Sequence, residues 1–220
     1  MKQLNWDYIR LSNGRDAVLN NLITANLSAI HTKPQWTAFC NVQGKVITTA
    51  WIWHEDDAWM VACHHSLQTQ LIAHIQRYAL RNQFTTTILH DFVHPTLNTM
   101  EAMIKANHPL IEAHTSGLFL PQMLKLDCCD DGEGAIDWQK GCYLGQEIIM
   151  RTQQLGTIKR ILKIAQMDTS PQATVLHDQH NQLCGYVINH TNDTPCTLNC
   201  VISQGVDVAF CDGVPIRLIG

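Results

Sequence analysis

One stretch of the chain concentrates residues able to do chemistry: Lys140-Gly141-Cys142-Tyr143-Leu144-Gly145-Gln146-Glu147, with Arg151 shortly after. A thiol becomes a nucleophile or metal ligand once ionised, and a helix N-terminus beside a lysine is an electropositive setting that lowers a cysteine pKa. Cys142 is therefore the candidate reactive centre, with Lys140 supplying the nearby charge. Gly141 and Gly145 permit turns and close approaches that a Cβ would block. Ile148, Ile149, Met150 and Arg151 suit a helix, so the stretch reads as a tight loop feeding a helix, close to unpaired helical N–H groups that can hold an anion or a thiolate. Glu147 can act as a general acid or base, or hold Lys140 or Arg151, and Gln146 offers a polar ligand both donor and acceptor. Chemistry alone leaves a functional site and a structural loop equally open.

The elements that must position this loop follow from periodicity. Ala17, Val18, Leu22, Ile23 and Leu27 recur at helical spacing and predict a helix from Asp16 to Ile30, with Ser12 and Asn13 available as caps. Trp36 to Cys40 and Val46 to Trp53 flank Asn41-Val42-Gln43-Gly44 as a hairpin, Gly44 supplying the positive φ of the turn, and Asp57 to Cys63 follows as a third strand of an antiparallel meander. Ser66 opens a second helix carrying Leu67, Leu71, Ile72, Ile75 and Ala79 on one side, and Phe84 to Leu89 reads as a strand. Thr96 can cap a short helix through Ile104, after which Pro109, Gly117 and Pro121 interrupt regular structure before the acidic turn Asp130-Asp131-Gly132-Glu133-Gly134. The order implies an α+β body. Beyond Gly156, short apolar runs at Ile161 to Ala165, Thr174 to Leu176, Gly185 to Ile188, Leu198 to Ser203, Val206 to Phe210 and Pro215 to Ile219 predict a small barrel or sandwich. The expected division is residues 1–155 and 156–220.

Composition narrows the function classes. The chain has 220 residues, 45% hydrophobic and 15% charged, less charged than the roughly 25% of an average domain, which argues for a packed core and against disorder. Its 15 Lys plus Arg against 19 Asp plus Glu give a net charge of -4, without the broad basic face that phosphate-backbone binding needs. The basic cluster Arg151, Lys159, Arg160 and Lys163 reads first as a solvated face. No apolar run reaches the roughly 20 residues of a membrane span, and the charged N-terminus MKQLNWDYIR is unlike a signal peptide, so a cytoplasmic protein is expected. Nine cysteines without dense regular spacing read mostly as reduced, buried thiols.

Other groups invite sharper readings. Cys196, Cys200 and Cys211 lack the paired short motifs of a zinc or cluster site, and Cys128-Cys129 lie too close together to clamp a metal. Among the 12 histidines, His64-His65, His90 with His94, and His177 with His180 suggest metal, yet no carboxylate or cysteine completes a motif, and His64 and His65 in a strand would face opposite ways. No metal is expected. Trp36, Trp51, Trp53 and Trp59 read as core; Trp6 could wall a flat ligand.

The run K-G-C-Y-L-G-Q-E, then Arg151-Thr152, Gly156 and Lys159-Arg160, closely resembles the signature of the YgfZ family. Thr115-Ser116-Gly117-Leu118-Phe119-Leu120-Pro121-Gln122-Met123 resembles that family's approach to the signature. So do Gly14-Arg15-Asp16-Ala17, Leu22-Ile23-Thr24, Phe39-Cys40-Asn41 and Gly44-Lys45-Val46 near the start. The resemblance implies the glycine-cleavage T-protein architecture: an α+β folate-binding body of antiparallel sheet and packed helices, plus a C-terminal β-barrel. It implies tetrahydrofolate as cofactor, with Lys140, Gly141, Tyr143, Gly145, Gln146, Glu147 and Arg151 binding it beside Cys142; Trp6 joins them only as the aromatic wall suggested above. It also implies a non-catalytic accessory role in assembly or repair of iron-sulfur clusters, including those of tRNA-modifying enzymes. The partners would be iron-sulfur enzymes or assembly proteins, with neither nucleic acid nor membrane bound directly. The stretch from Phe84 to Leu118 is shorter than its family counterpart, marking a shortened member. Two rival readings are a folate-dependent aminomethyl transferase and a truncated protein-binding module without folate.

Overall fold

The computed structural model describes residues 4–30, 33–80, 83–90, 92, 99–127 and 134–219. In chain order the elements are β1 (Trp6–Ser12), α1 (Asp16–Asn20), β2 (Gln35–Cys40), β3 (Val46–Glu55), β4 (Ala58–His64), α2 (Gln68–Ala79), β5 (Thr85–Leu89), α3 (Met100–Lys105) and α4 (Gln146–Leu155). Strands β6 (Arg160–Met167), β7 (Val175–His177), β8 (Leu183–His190), β9 (Cys196–Ser203), β10 (Ala209–Cys211) and β11 (Val214–Ile219) follow.

The first five strands form one antiparallel sheet in the order β2-β3-β4-β1-β5. The β2–β3 turn closes as expected: Asn41 Oδ1 accepts N–H bonds from Gln43 and Lys45, and Gly44 has φ +72°. Alternation along each strand sends Trp51 and Trp53 to one face and Ala50 and Ile52 to the other. The second face is covered by Leu19 of α1 and Leu71 and Ile75 of α2. The first packs against Met103 of α3, the irregular run through Leu110, Ile111, Phe119 and Leu124, and Leu162, Ile188 and Val201 from the later strands.

Those later strands close into a barrel, β10-β11-β6-β9-β8-β7, which decides between the two forms that the short apolar runs left open. Leu176, Leu198, Cys200, Ile202 and Ile216 fill it. A buried amide ties it to the body: Asn189 of β8 accepts the Leu110 N–H at 2.7 Å and donates to the Leu110 carbonyl at 2.8 Å.

Three expectations are corrected, and one strand was not foreseen. The helix over 16–30 stops at Asn20, and only a short 3-10 turn, Leu27–Ala29, follows. Thr24 takes the chain into the sheet instead: its N–H donates to Ala38 O, its Oγ1 accepts from Ala38 N, and Ile23 bridges Phe39. Ser12 and Asn13 do not cap α1, whose N-cap is Arg15. α2 starts at Gln68, with Ser66 Oγ bonded to His64 Nδ1 at 2.8 Å rather than capping. Strand β1 has no counterpart in the periodicity reading. The cap of α3 is Thr99, its side chain accepting from Ala102 N; Thr96, Cys128, Cys129 and residues 130–133 of the acidic turn lie outside the described residues.

Candidate functional site

The signature loop sits where the interrupted first helix meets the β2–β3 turn. Ending α1 at Asn20 leaves backbone carbonyls without helical donors, and Lys140 meets them. Its Nζ donates to Asn20 O at 2.6 Å, Ile23 O at 2.9 Å and Ala25 O at 2.6 Å, and lies 5.3 Å from the centre of the Tyr143 ring. Burial pulls its pKa down to about 8, with Asp137 opposing. This differs from the expectation for Lys140 beside Cys142: the ammonium faces inward onto carbonyls, because charge-assisted bonds to three acceptors offset its desolvation.

The neighbouring residues are held as closely. Tyr143 is buried in the core, its hydroxyl without a hydrogen-bond partner among the described residues, and burial raises its pKa. Leu144 N–H donates to Asn21 O at 2.9 Å. Gly145 has φ +81°, and a Cβ there would stand 2.5 Å from Asn41 O and 2.7 Å from Gly44 Cα, so the signature and the hairpin turn touch backbone to backbone. Gly141, by contrast, has nothing within 4 Å of a built Cβ, which corrects the expectation that it allows a close approach. Gln146 begins α4, and Glu147 and Arg151 are exposed on it. Among the described residues no ion pair joins Glu147 to Lys140 or Arg151.

Cys142 is the residue this packing leaves outside. Among the described cysteines it alone is exposed; Cys40, Cys63, Cys184, Cys196, Cys200 and Cys211 are buried. It lies on an open, largely apolar hollow of about 370 Å³ with Val18, Asn21, Leu22, Tyr78, Tyr143 and Leu144. Lys140, Gly145, Gln146, Glu147 and Arg151 do not line that hollow.

A larger cleft, about 530 Å³, opens elsewhere, where the ends of β1 and β4 meet α3 and the barrel residues after β8. Asn5, His64, His65, Glu101, Glu112, His190 and Asp193 line it, with no lysine or arginine among its described walls and no residue shared with the hollow at Cys142. His64 Nε2 is 3.9 Å from Glu112 Oε2, and His114 Nδ1 is 4.0 Å from the same oxygen. Burial lowers the His64 pKa, with Glu112 pulling the other way. The paired histidines were expected to point apart. The strand ends at His64, so their rings tilt together with centroids 4.4 Å apart. Sequence reasoning missed Glu112, Asp193 and Asn5 because they carry no motif; only the His64-His65 pair marked the place. Trp6, the suggested ligand wall, is partly buried against the core, edge-on to Trp36 at 6.4 Å, and next in sequence to Asn5, which lines the cleft. No group of three or more His, Cys, Asp or Glu among the described residues is arranged to hold a metal ion, and none of their helices is long and apolar enough to cross a membrane.

No family model matches the chain. Its fold is that of the glycine cleavage T-proteins. The aminomethyltransferase T of the glycine cleavage system from Bartonella henselae superimposes with a TM-score of 0.70 over 99% of this chain and 83% of that one, at 10% identity. Among curated proteins it is 46% identical over 59 residues to the tRNA-modifying protein YgfZ of Colwellia psychrerythraea, and 42% identical over 59 residues to that of Serratia proteamaculans. An uncharacterized protein of Haemophilus influenzae is 35% identical over 82 residues, 37% of this chain and 28% of that protein. The stretch matched to the two YgfZ proteins covers 27% of this chain and 17% of theirs. The two likenesses converge on one description, a YgfZ-like protein on a T-protein fold.

Proposed function

We propose that this protein binds a reduced folate in the cleft between the sheet and the barrel and serves iron-sulfur enzymes as an accessory factor, with Cys142 acting at a separate surface. The observation that carries the binding reading is the cleft itself. Its volume of about 530 Å³ lies within the roughly 300–1,000 Å³ usual for small-molecule sites. Its described walls are rich in acceptors and contain no lysine or arginine. That chemistry fits the N–H-rich pterin head, which Glu112, Asp193 and Asn5 would hold, and leaves the anionic glutamyl tail toward solvent. A bound folate supplies a carrier for one-carbon units. Support for the iron-sulfur role is the likeness to proteins named tRNA-modifying protein YgfZ, and the cytoplasm would be its place of work.

The proposed ligand site is therefore the cleft, not the signature that sequence reasoning favoured. Lys140, Tyr143 and Gly145 build the loop, while Cys142 is the residue we assign as reactive. Anaerobic calorimetric titration with tetrahydrofolate tests this. We expect saturable binding that Glu112→Gln weakens about tenfold, the loss of one half-buried charged acceptor, and that Cys142→Ala leaves unchanged. Abolition by Cys142→Ala would move the ligand to the hollow, and absence of binding at millimolar ligand would remove the folate reading. For the cellular role, a deletion strain should lose iron-sulfur enzyme activity, and Cys142→Ala should fail to restore it.

A further inference from the structure

The surface where the β2–β3 turn, the start of α4 and residues 117–119 meet has a chemistry the proposed function does not use. Ile148 lies over Gly44, since a Cβ built on that glycine would come within 3.3 Å of the Ile148 Cβ. Val42 projects from the same turn, 58% exposed. Leu118 is 40% exposed alongside: its carbonyl accepts from Lys45 Nζ at 3.1 Å, and Gly117 N–H donates to Val46 O at 2.8 Å. Leu155, seven residues beyond Ile148 and hence on the same side of α4, is 82% exposed.

Cations surround these apolar side chains. Arg160 lies 5.7 Å from the Tyr186 ring, which packs edge-on against Phe119, the neighbour of Leu118. The Lys45 pKa is lowered first by burial and then by Arg160, so two like charges stand close together. Arg151 is exposed on α4 between Ile148 and Leu155. None of the three has an ion-pair partner among the described residues. With Lys45, Arg151 and Arg160 set against one exposed carboxylate, Glu147, the strip keeps a net positive charge on a chain whose net charge is -4.

We propose that this strip docks an acidic segment of a partner protein, whose apolar side chains cover Val42, Leu118 and Ile148 and whose carboxylates pair with Lys45, Arg151 and Arg160. Charge complementarity selects this occupant. A second copy docking by the same patch would set these cations against themselves. RNA needs a broader basic face and offers little to the apolar residues, and an anionic lipid surface would repel the negative remainder of the molecule.

The test uses the full chain and a fluorescein-labelled amphipathic peptide with leucines at helical spacing and glutamates elsewhere, read by anisotropy. Saturable, salt-sensitive binding is expected, weakened about tenfold by Ile148→Gln or by Arg151→Glu, the loss of one central contact, with both variants folded by circular dichroism. No binding, equal binding of a peptide with lysine in place of every glutamate, or indifference to both substitutions would overturn the proposal. So would tighter binding of a short single-stranded RNA or of phosphatidylserine vesicles. Tetrahydrofolate titration of Ile148→Gln should match the unaltered protein, so failure here leaves the cleft reading standing.

Discussion

Replacing Lys140 by methionine keeps most of the stem's volume but removes the three bonds to Asn20 O, Ile23 O and Ala25 O. A loss of about 3 kcal/mol in urea unfolding is expected, because buried carbonyls are left unpaired. Two positions on, Cys142 should behave as a surface thiol. Peptide-resolved alkylation of the native protein should label Cys142 rapidly and leave Cys40, Cys63, Cys200 and Cys211 intact until denaturant is added, since burial pushes those thiols up to about 12. Labelling of the buried thiols at the rate of Cys142 would contradict the packing. Both residues stand in the same eight-residue signature, and their types told of chemistry without telling which one faces water. That distinction depends on Asn20, whose helix ends, and on Thr24, whose hydroxyl competes for β2. Neither is near the signature in sequence.

Between elements, the contact of the hairpin turn with the start of α4 makes a sharp contrast. Gly145→Ala must adopt φ +81° and displace backbone atoms 2.5 to 2.9 Å from its Cβ, and should destabilise by about 3 kcal/mol, the sum of left-handed strain and overpacking. Gly141→Ala meets nothing and should be neutral to within about 0.5 kcal/mol or slightly stabilising. Comparing the two urea midpoints tests the geometry directly. In α2, burial holds the His74 pKa down to about 4, helped by Arg77. The unfolded chain therefore takes up this proton first as pH falls. The stability that neutral His74 confers is whole above about pH 6.5 and drains away toward pH 4, and His74→Leu should flatten that part of the acid-unfolding curve. The hairpin, α2 and the barrel strands were legible because turn residues and apolar period agree there. Strand β1 was not: in Trp6–Ser12 the adjacent apolar Tyr8 and Ile9 break the apolar–polar alternation that marks a strand, and its pairing with β4 and β5 is set by partners far along the chain.

Across the molecule, one core cluster joins Trp51 and Trp53 of the sheet, Met103 of α3 and Leu162, Ile188 and Val201 of the barrel. The division at residue 155 that the sequence pattern suggested therefore runs through shared packing, and the Asn189–Leu110 pair crosses it as well. Calorimetry should show a single cooperative transition; two separated transitions would mean that each lobe is stable alone. The cleft was invisible to sequence reading for the same reason, since its walls come from the residues just before β1, the end of β4, α3 and the barrel side, and acquire meaning only in assembly. The backbone meeting of Gly145 with Asn41 and Gly44 also bears on how the chain is made. A ribosome releases the hairpin long before it reaches the glycine that braces it, and Lys140, which satisfies the carbonyls of residues 20–25, arrives equally late. The early sheet must wait, half covered, while the residues between β5 and the signature are made, a hydrophobic surface for chaperones to shield until the signature emerges and locks it.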